Sequence, residues 1–416
     1  MVSTIEKKAL AYYGGVKSVP ENIDYVWPII QDNDLTYIKE KISNMELSFN
    51  SDEAEIRKLE SKFASLIGST YALAMNSGTS ALFTAFLCLG LKSGDKVAAP
   101  SYTFPATIMP LVSMGVKIVF IDSEEDSPRM DIEDLKNKID TSFSCIIVAH
   151  IDGIPTDMPE IMKIATANKC YVIEDCAQAL GSKIDNHSVG IFGDVGIFSF
   201  QQKKLIAAGE GGMLVTSDKK LYEKAVLYSY LQKRSFEDVT DENLSIYAYT
   251  GLGFNFRIYP IAAALANCQL NRFEKILEMR VTSIKKIADA LENCFGIKVV
   301  REKENEINSF YTLKILYLCE DILPIEKYNF LLNCEGVDIE QSLTIPLHLT
   351  EICKNNANQH FSNCFEISNL INCERYSKRL LRLKPYYNLS EQQIMGIVKA
   401  FEKVSAYLKS LKEETT

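Results

Sequence analysis

Two adjacent lysines, Lys203 and Lys204, stand in a stretch suited to holding an amine in a pocket. The run Phe198-Ser-Phe-Gln-Gln-Lys-Lys-Leu-Ile-Ala-Ala-Gly-Glu-Gly-Gly212 starts apolar, turns polar at the lysines and closes on a glycine-rich turn. A second apolar strand, Met213-Leu-Val-Thr216, follows. Gly209, Gly211 and Gly212 accept positive φ at little cost, so the chain can double back sharply there. A lysine buried among strands gives up its proton more readily than an exposed one. Its neutral amine is the form that condenses with a carbonyl into a Schiff base. The same residues also suit an ordinary hairpin carrying two solvated lysines, and the stretch alone leaves both readings open.

Other candidates sit at comparable strand ends. Asn76-Ser-Gly-Thr-Ser80 lies between a short apolar run, 71–75, and a helical run, 81–91. A helix beginning there turns free N–H groups and the positive end of its dipole outward, which suits a phosphate, and Gly78, Thr79 and Ser80 would line it. A plain Ser/Thr cap uses the same residues. Asp175 ends another apolar run, so its charge needs a partner, and a protonated ring nitrogen would be one. The alternative is a cap for residues 177–180. Gln178, three residues on, faces the same side. Phe104, in the loop 101–105, offers a flat face for an aromatic ligand or is simply core. His150 reads as a satisfied structural histidine.

The elements that must position these residues follow from length and pattern. A chain of 416 residues exceeds one typical core, so two lobes are expected. Hydrophobic content of 47% and charged content of 24% are ordinary for a globular protein. A net charge of −9 argues against nucleic-acid partners. No apolar run reaches a membrane span, and the start Met-Val-Ser-Thr-Ile-Glu-Lys-Lys lacks the apolar core of a signal peptide. The eleven cysteines are scattered without a Cys-x-x-Cys pair and read as reduced thiols in the cytoplasm. Four histidines with no metal-ligand spacing indicate no metal site.

Residues 1–35 read as an irregular arm, and 53–66 as an amphipathic helix stopped at Gly68. Strand patterns at 71–75, 96–99, 116–121, 145–150 and 170–173 then alternate with helical ones. This predicts an α/β fold with a mostly parallel sheet flanked by helices. Ligands of such folds sit beyond the carboxyl ends of the strands, where Ser77–Ser80, Phe104, His150 and Asp175 all fall. Beyond about 275 the pattern is a smaller α+β lobe, with a long helix at 273–294, strands at 298–301 and 311–318, and a final helix at 391–411. A Cys- and Asn-rich stretch, 353–373, has no assignable element.

Five motifs in order carry a resemblance. They are Asn-Ser-Gly-Thr-Ser-Ala-Leu (76–82), Pro-Ser-Tyr-Thr-Phe-Pro-Ala-Thr (100–107), Ile-Glu-Asp-Cys-Ala-Gln-Ala-Leu-Gly (173–181), Phe-Ser-Phe-x-x-x-Lys-x-x-x-x-Gly-Glu-Gly-Gly (198–212) and Gly-Phe-Asn-Phe-Arg (253–257). Together they resemble the DegT/DnrJ/EryC1/StrS aminotransferases, pyridoxal-phosphate enzymes that aminate keto-sugars and keto-cyclitols. The resemblance spans roughly residues 40–280. It implies fold type I, with a seven-stranded large domain at 36–272 and a small α+β domain at 273–416, preceded by the arm at 1–35.

The resemblance also implies roles. Lys204 would form the Schiff base, although a one-residue slip would make it Lys203. Asp175 would keep the pyridinium nitrogen protonated, Gln178 would contact the 3-oxygen side, and Phe104 would stack on the ring. Gly78, Thr79, Ser80 and Ser199 would hold the phosphate, joined by Asn255 from a neighbouring subunit, which implies a homodimer with shared sites. An amino donor, glutamate or glutamine, would release Lys204, which then shuttles a proton before a keto-sugar or keto-cyclitol takes the amino group. The acceptor is expected to be linked to a nucleotide. The surroundings Gln201-Gln202 and Leu205 lean toward the branch acting on cyclitols or on aminoshikimate-type rings, rather than the one with His-Pro before the lysine. Alternatives are a dehydratase or aromatase on an aminoshikimate-type ring and a non-catalytic member. A lysine at 204, where the dehydratase branch has histidine, disfavours dehydration.

Overall fold

The computed structural model describes residues 2–20, 23, 26–342, 344–354 and 364–415. Seven strands within residues 71–216 share one sheet: Tyr71–Met75 (β1), Lys96–Pro100 (β2), Lys117–Ile121 (β3), Phe143–Ala149 (β4), Tyr171–Asp175 (β5), Val195–Ser199 (β6) and Gly212–Thr216 (β7). Their spatial order is β1-β7-β6-β5-β4-β2-β3. All run parallel except β7, which lies antiparallel between β1 and β6. The strands are nearly continuous apolar runs because both faces of the sheet are covered.

A second sheet follows in the C-terminal part, from Ile297–Val299 (β8), Leu313–Tyr317 (β9) and Ile339–Gln341 (β10). The two-residue strand Phe365–Glu366 (β11) comes next, then Leu380–Leu383 (β12). The small sheet is antiparallel in the order β8-β9-β12-β10, whereas β11 returns to the large sheet and pairs in parallel with β3. It extends the seven strands by an eighth. The stretch 353–373 therefore has partial structure, with Cys353, Cys364 and Cys373 buried in the large core. Residues 355–363 lie outside the described residues.

The arm is more ordered than its irregular sequence suggests. Val2–Ala9 is a helix (α1), and Asp32–Ser43 is another (α2). An isolated eight-residue helix is marginal in water, so α1 owes its stability to packing on the C-terminal helix Glu391–Thr415. Leu10 and Val19 enter the small-lobe core. Glu335 there accepts the Ala11 and Ser18 N–H groups at 2.6 and 3.0 Å and pairs with Lys403 at 3.0 Å.

Two further helices bear on the site. Glu53–Ile67 (α3) ends, as its sequence predicts, on Gly68 in the left-handed conformation. Gly78–Cys88 (α4) starts directly beyond β1. Because β1, β2, β4, β5 and β6 are mutually parallel, their carboxyl ends share one edge. Ser77–Ser80, the loop 101–104, His150 to Asp152, Asp175 and Ser199 to Lys204 all follow from that edge.

Candidate active site

The lysine loop is tied across its own width. Phe200 N–H donates to Gly211 O at 2.9 Å, Ala208 N–H to Phe200 O at 2.8 Å, and Gln202 N–H to Gly209 O at 3.0 Å. Gly209 takes φ +81°, the left-handed turn its sequence position suggested. From outside, Gln269 accepts the Ala207 N–H at 3.0 Å and donates back to Ala207 O. Trp27 of the arm donates its indole N–H to Lys204 O at 3.1 Å. Its ring stacks on Tyr387 at 4.3 Å.

This frame gives the two lysines different surroundings. Lys203 is exposed. Lys204 is turned inward, its Nζ 4.5 Å from the centre of the Tyr311 ring. Burial pulls its pKa down to about 8, against the attraction of Asp175 and Asp152 and with some help from the charge on Lys203. Near neutral pH the amine of Lys204 is still mostly protonated, but its neutral form is far more populated than that of an ordinary lysine. Burial thus sets Lys204 apart from its exposed neighbour Lys203.

Asp175 is buried at the end of β5. Thr107 Oγ1 donates to its Oδ2 at 2.7 Å, and Ala177 N–H donates to its Oδ1 at 3.1 Å. Thr107 is in turn 2.9 Å from Thr103 Oγ1, so the loop carrying Phe104 is tied to the carboxylate. The capping reading of Asp175 is thus partly realised, on a turn rather than a helix. The Phe104 ring is 64% exposed, leaving a flat apolar face open at the strand edge. Gln178 accepts the Asp152 N–H on its Oε1 at 2.9 Å.

The start of α4 is shaped by close backbone approach. Ser77 caps the helix, accepting Ser80 N–H at 3.0 Å, and its hydroxyl is 2.8 Å from that of Ser80. Ser80 Oγ also donates to Asn76 Oδ1 at 2.6 Å, while Thr79 is exposed. A Cβ on Gly78 would stand 3.2 Å from Ser199 Cβ, which places Ser199 beside the helix start. A Cβ on Gly212 would overlap the Ser77 carbonyl and lie 2.5 Å from Gly78 N. Gly212→Ala must push β7 away from this turn. Such overpacking costs about 1–3 kcal/mol, and a cofactor Kd raised about tenfold or more is expected. Fluorescence titration checks it, and an unchanged Kd would contradict the cradle.

Asn255 lies exposed in the segment 253–257. Phe256 O accepts the Asn76 N–H at 2.8 Å and Arg257 bridges Met75, so Asn255 stands next to the β1–α4 turn of its own chain.

His150 is the structural residue the sequence suggested. Its Nδ1 accepts Thr156 N–H at 3.1 Å, which leaves Nε2 to donate to Glu174 at 3.1 Å. Glu174 also accepts the N–H groups of Gly190, Phe192 and Gly193, each at 2.8 Å. With Cys176 these residues form a trio whose donor atoms lie within 4.8 Å. The imidazole has no lone pair left for a metal, and burial holds the Cys176 thiol protonated. The trio fixes the end of β5 beneath Asp175.

Sequence reasoning missed Thr107, Tyr311, Asp152 and Lys314. Thr107 lay inside a quoted motif, yet its contact with Asp175 spans 68 positions. Tyr311 and Lys314 come from the small lobe.

The set of residues fits pyridoxal phosphate. An amine of lowered proton affinity, a buried carboxylate, an open aromatic face and a helix start in a tight glycine cradle stand along one edge. The chain matches the model of the DegT/DnrJ/EryC1/StrS aminotransferase family over residues 30–402. It is 31% identical over 294 residues to the GDP-perosamine synthase of Escherichia coli O157:H7, covering 70% of this chain and 76% of that one. It is 30% identical over 342 residues to the UDP-N-acetyl-3-dehydro-alpha-D-glucosamine 3-aminotransferase of Acidithiobacillus ferrooxidans, covering 82% and 86%. An aminotransferase structure from Psychrobacter cryohalolentis superposes with a TM-score of 0.83 at 26% identity, over 92% of this chain and 99% of that one. The chain belongs to the DegT/DnrJ/EryC1/StrS aminotransferase family and is a pyridoxal-phosphate-dependent sugar aminotransferase.

Proposed function

We propose that the protein transfers an amino group from glutamate or glutamine to a nucleotide-linked keto-sugar. The observation that carries this reading is the buried Lys204 amine beside two carboxylates at the edge where the strands end. Both curated relatives compared above bear sugar-nucleotide names, which supports a nucleotide-linked acceptor over a cyclitol.

When bound, pyridoxal phosphate supplies an electron sink that acidifies a C–H bond next to its nitrogen. Lys204 is assigned as its attachment point and, once released, as the base that moves a proton between the donor's Cα and the cofactor's C4′. A lowered pKa suits that work, since the free amine must accept a proton near neutral pH. Asp175 holds a negative charge against the ring nitrogen, oriented by Thr107 and Ala177. Phe104 would cover a ring face, and Gln178 would contact the 3-oxygen side. Thr79, Ser80, Ser199 and the backbone at Gly78 would receive the phosphate.

Asn255 is assigned to the same phosphate across a homodimer. Support comes from Phe236, Ile246, Tyr249 and Tyr259, large apolar or aromatic side chains left exposed on either side of it in sequence. All eleven cysteines are free, which supports a cytoplasmic setting. No helix of the described residues is long and apolar enough to cross a membrane.

The test is an assay of the loaded protein with glutamate or glutamine and GDP- or UDP-linked keto-sugars, with mass spectrometry of the sugar. An amino-sugar nucleotide formed with one donor is expected. Conversion of the donor to its keto acid with no sugar nucleotide aminated would refute the acceptor assignment.

A further inference from the structure

Each polar part of Asp152 meets another residue, and one of these, Tyr311, lies against Lys204. It follows β4 in a left-handed conformation, φ +58° and ψ 18°, which is uncommon for a residue with a side chain. Its N–H donates to Gln178 Oε1 at 2.9 Å. Its carbonyl accepts Tyr311 N–H at 3.1 Å, and Tyr311 is the ring against which the Lys204 amine lies. Its Oδ1 accepts Thr312 Oγ1–H at 2.7 Å, and its Oδ2 is 3.3 Å from Lys314 Nζ.

Thr312 and Lys314 belong to the small lobe, and Lys314 is 3% exposed on β9. A left-handed aspartate carrying a buried ion pair between two lobes is more than a turn needs. Its carboxylate is one of the two that draw a proton toward Lys204, the other being Asp175. The remaining charged or titratable groups around the pair are Lys203 beside Lys204, and Tyr102, Tyr376, Arg382 and Glu340 beside Asp152 and Lys314.

We propose that Asp152 is a positioning residue for Lys204: its carboxylate, anchored by Thr312 and Lys314, sets a second negative charge in the neighbourhood of the amine, while its backbone holds Tyr311 against that amine and engages Gln178. The charge at Lys204 then depends on how the small lobe is seated, because both anchors lie in that lobe. Asp152 works against burial, which favours the neutral amine, and Lys314 moderates Asp152. This rests on Lys204 as the working lysine, but the charge relation itself can be read without cofactor or substrate.

The test is competitive acetylation of the cofactor-free chain with acetic anhydride across a pH series. Mass spectrometry of the peptide separates Lys204 from Lys203. In the unchanged chain the reactivity of Lys204 is expected to climb through about pH 8. In Asp152→Asn the midpoint falls by about one pH unit, since a neighbouring negative charge is gone. Asparagine tolerates the left-handed conformation and keeps a hydrogen bond to Thr312, so this variant should fold. In Lys314→Met the midpoint moves the other way, because Asp152 loses its counter-charge.

Opposite shifts are the signature of an electrostatic role, which loosened packing does not produce. A folded Asp152→Asn chain with an unmoved or raised midpoint overturns the proposal, as do two variants that shift together. If Lys314→Met does not fold, Asp152→Asn decides alone. A shifted midpoint without any Schiff base at Lys204 would separate failure of the functional reading from failure of this one.

Discussion

Lys204→Ala is expected to lower kcat by at least about 10⁴-fold while the chain remains folded, because the proposed roles give one residue both the attachment point and the base. The fold does not need the side chain. The loop is held by the Phe200, Gln202 and Ala208 backbone bonds, by Gln269 and by Trp27, none of which uses the Lys204 amine. Removing a buried amine whose charged form is disfavoured also relieves a cost below pH 8. Lys203→Ala should change kcat by less than about tenfold, since Lys203 is exposed and acts on its neighbour only through charge. The check is initial-rate kinetics on both variants with thermal melts alongside. A fully active Lys204→Ala protein would sink the assignment.

Asp175→Asn is expected to cost about 10²–10³ in kcat with the cofactor still bound. The substitution keeps the shape, and an amide oxygen can still accept from Thr107 or Ala177. What disappears is the negative charge that the proposed role sets against the protonated ring nitrogen. A ring that loses its proton is a weaker electron sink, so the loss falls on the proton-transfer steps rather than on binding. Saturation kinetics at several cofactor concentrations separate the two. A kcat within threefold of the unchanged enzyme would mean that Asp175 is only the turn cap it also resembles.

Much of this site was legible because parallel sheets concentrate function at one edge. Asp175 and Ser199 each end a strand, Ser77–Ser80 and Phe104 follow one, and short apolar runs alternating with helical patterns were enough to find those ends. The role of Gly212 was partly legible. Its place in a glycine-rich turn suggested positive φ, whereas the structure requires a missing Cβ at Ser77 and Gly78.

The parts that were not legible depend on long-range contact. Asp152 reads as an ordinary turn residue before Gly153, and nothing local says that Lys314, on a strand of the other lobe, will neutralise it. Strand β11 is two residues long and pairs with β3 across more than 240 positions, too short for any periodic signal. The helix α1 was missed because its stability comes from the C-terminal helix rather than from its own eight residues.

The most direct measurement is to load the purified protein with pyridoxal phosphate, reduce it with borohydride and map the modified lysine by mass spectrometry. The account predicts a single pyridoxyl group on Lys204, absent when an amino donor is added before reduction. A label on Lys203, or no label on the intact protein, would contradict it.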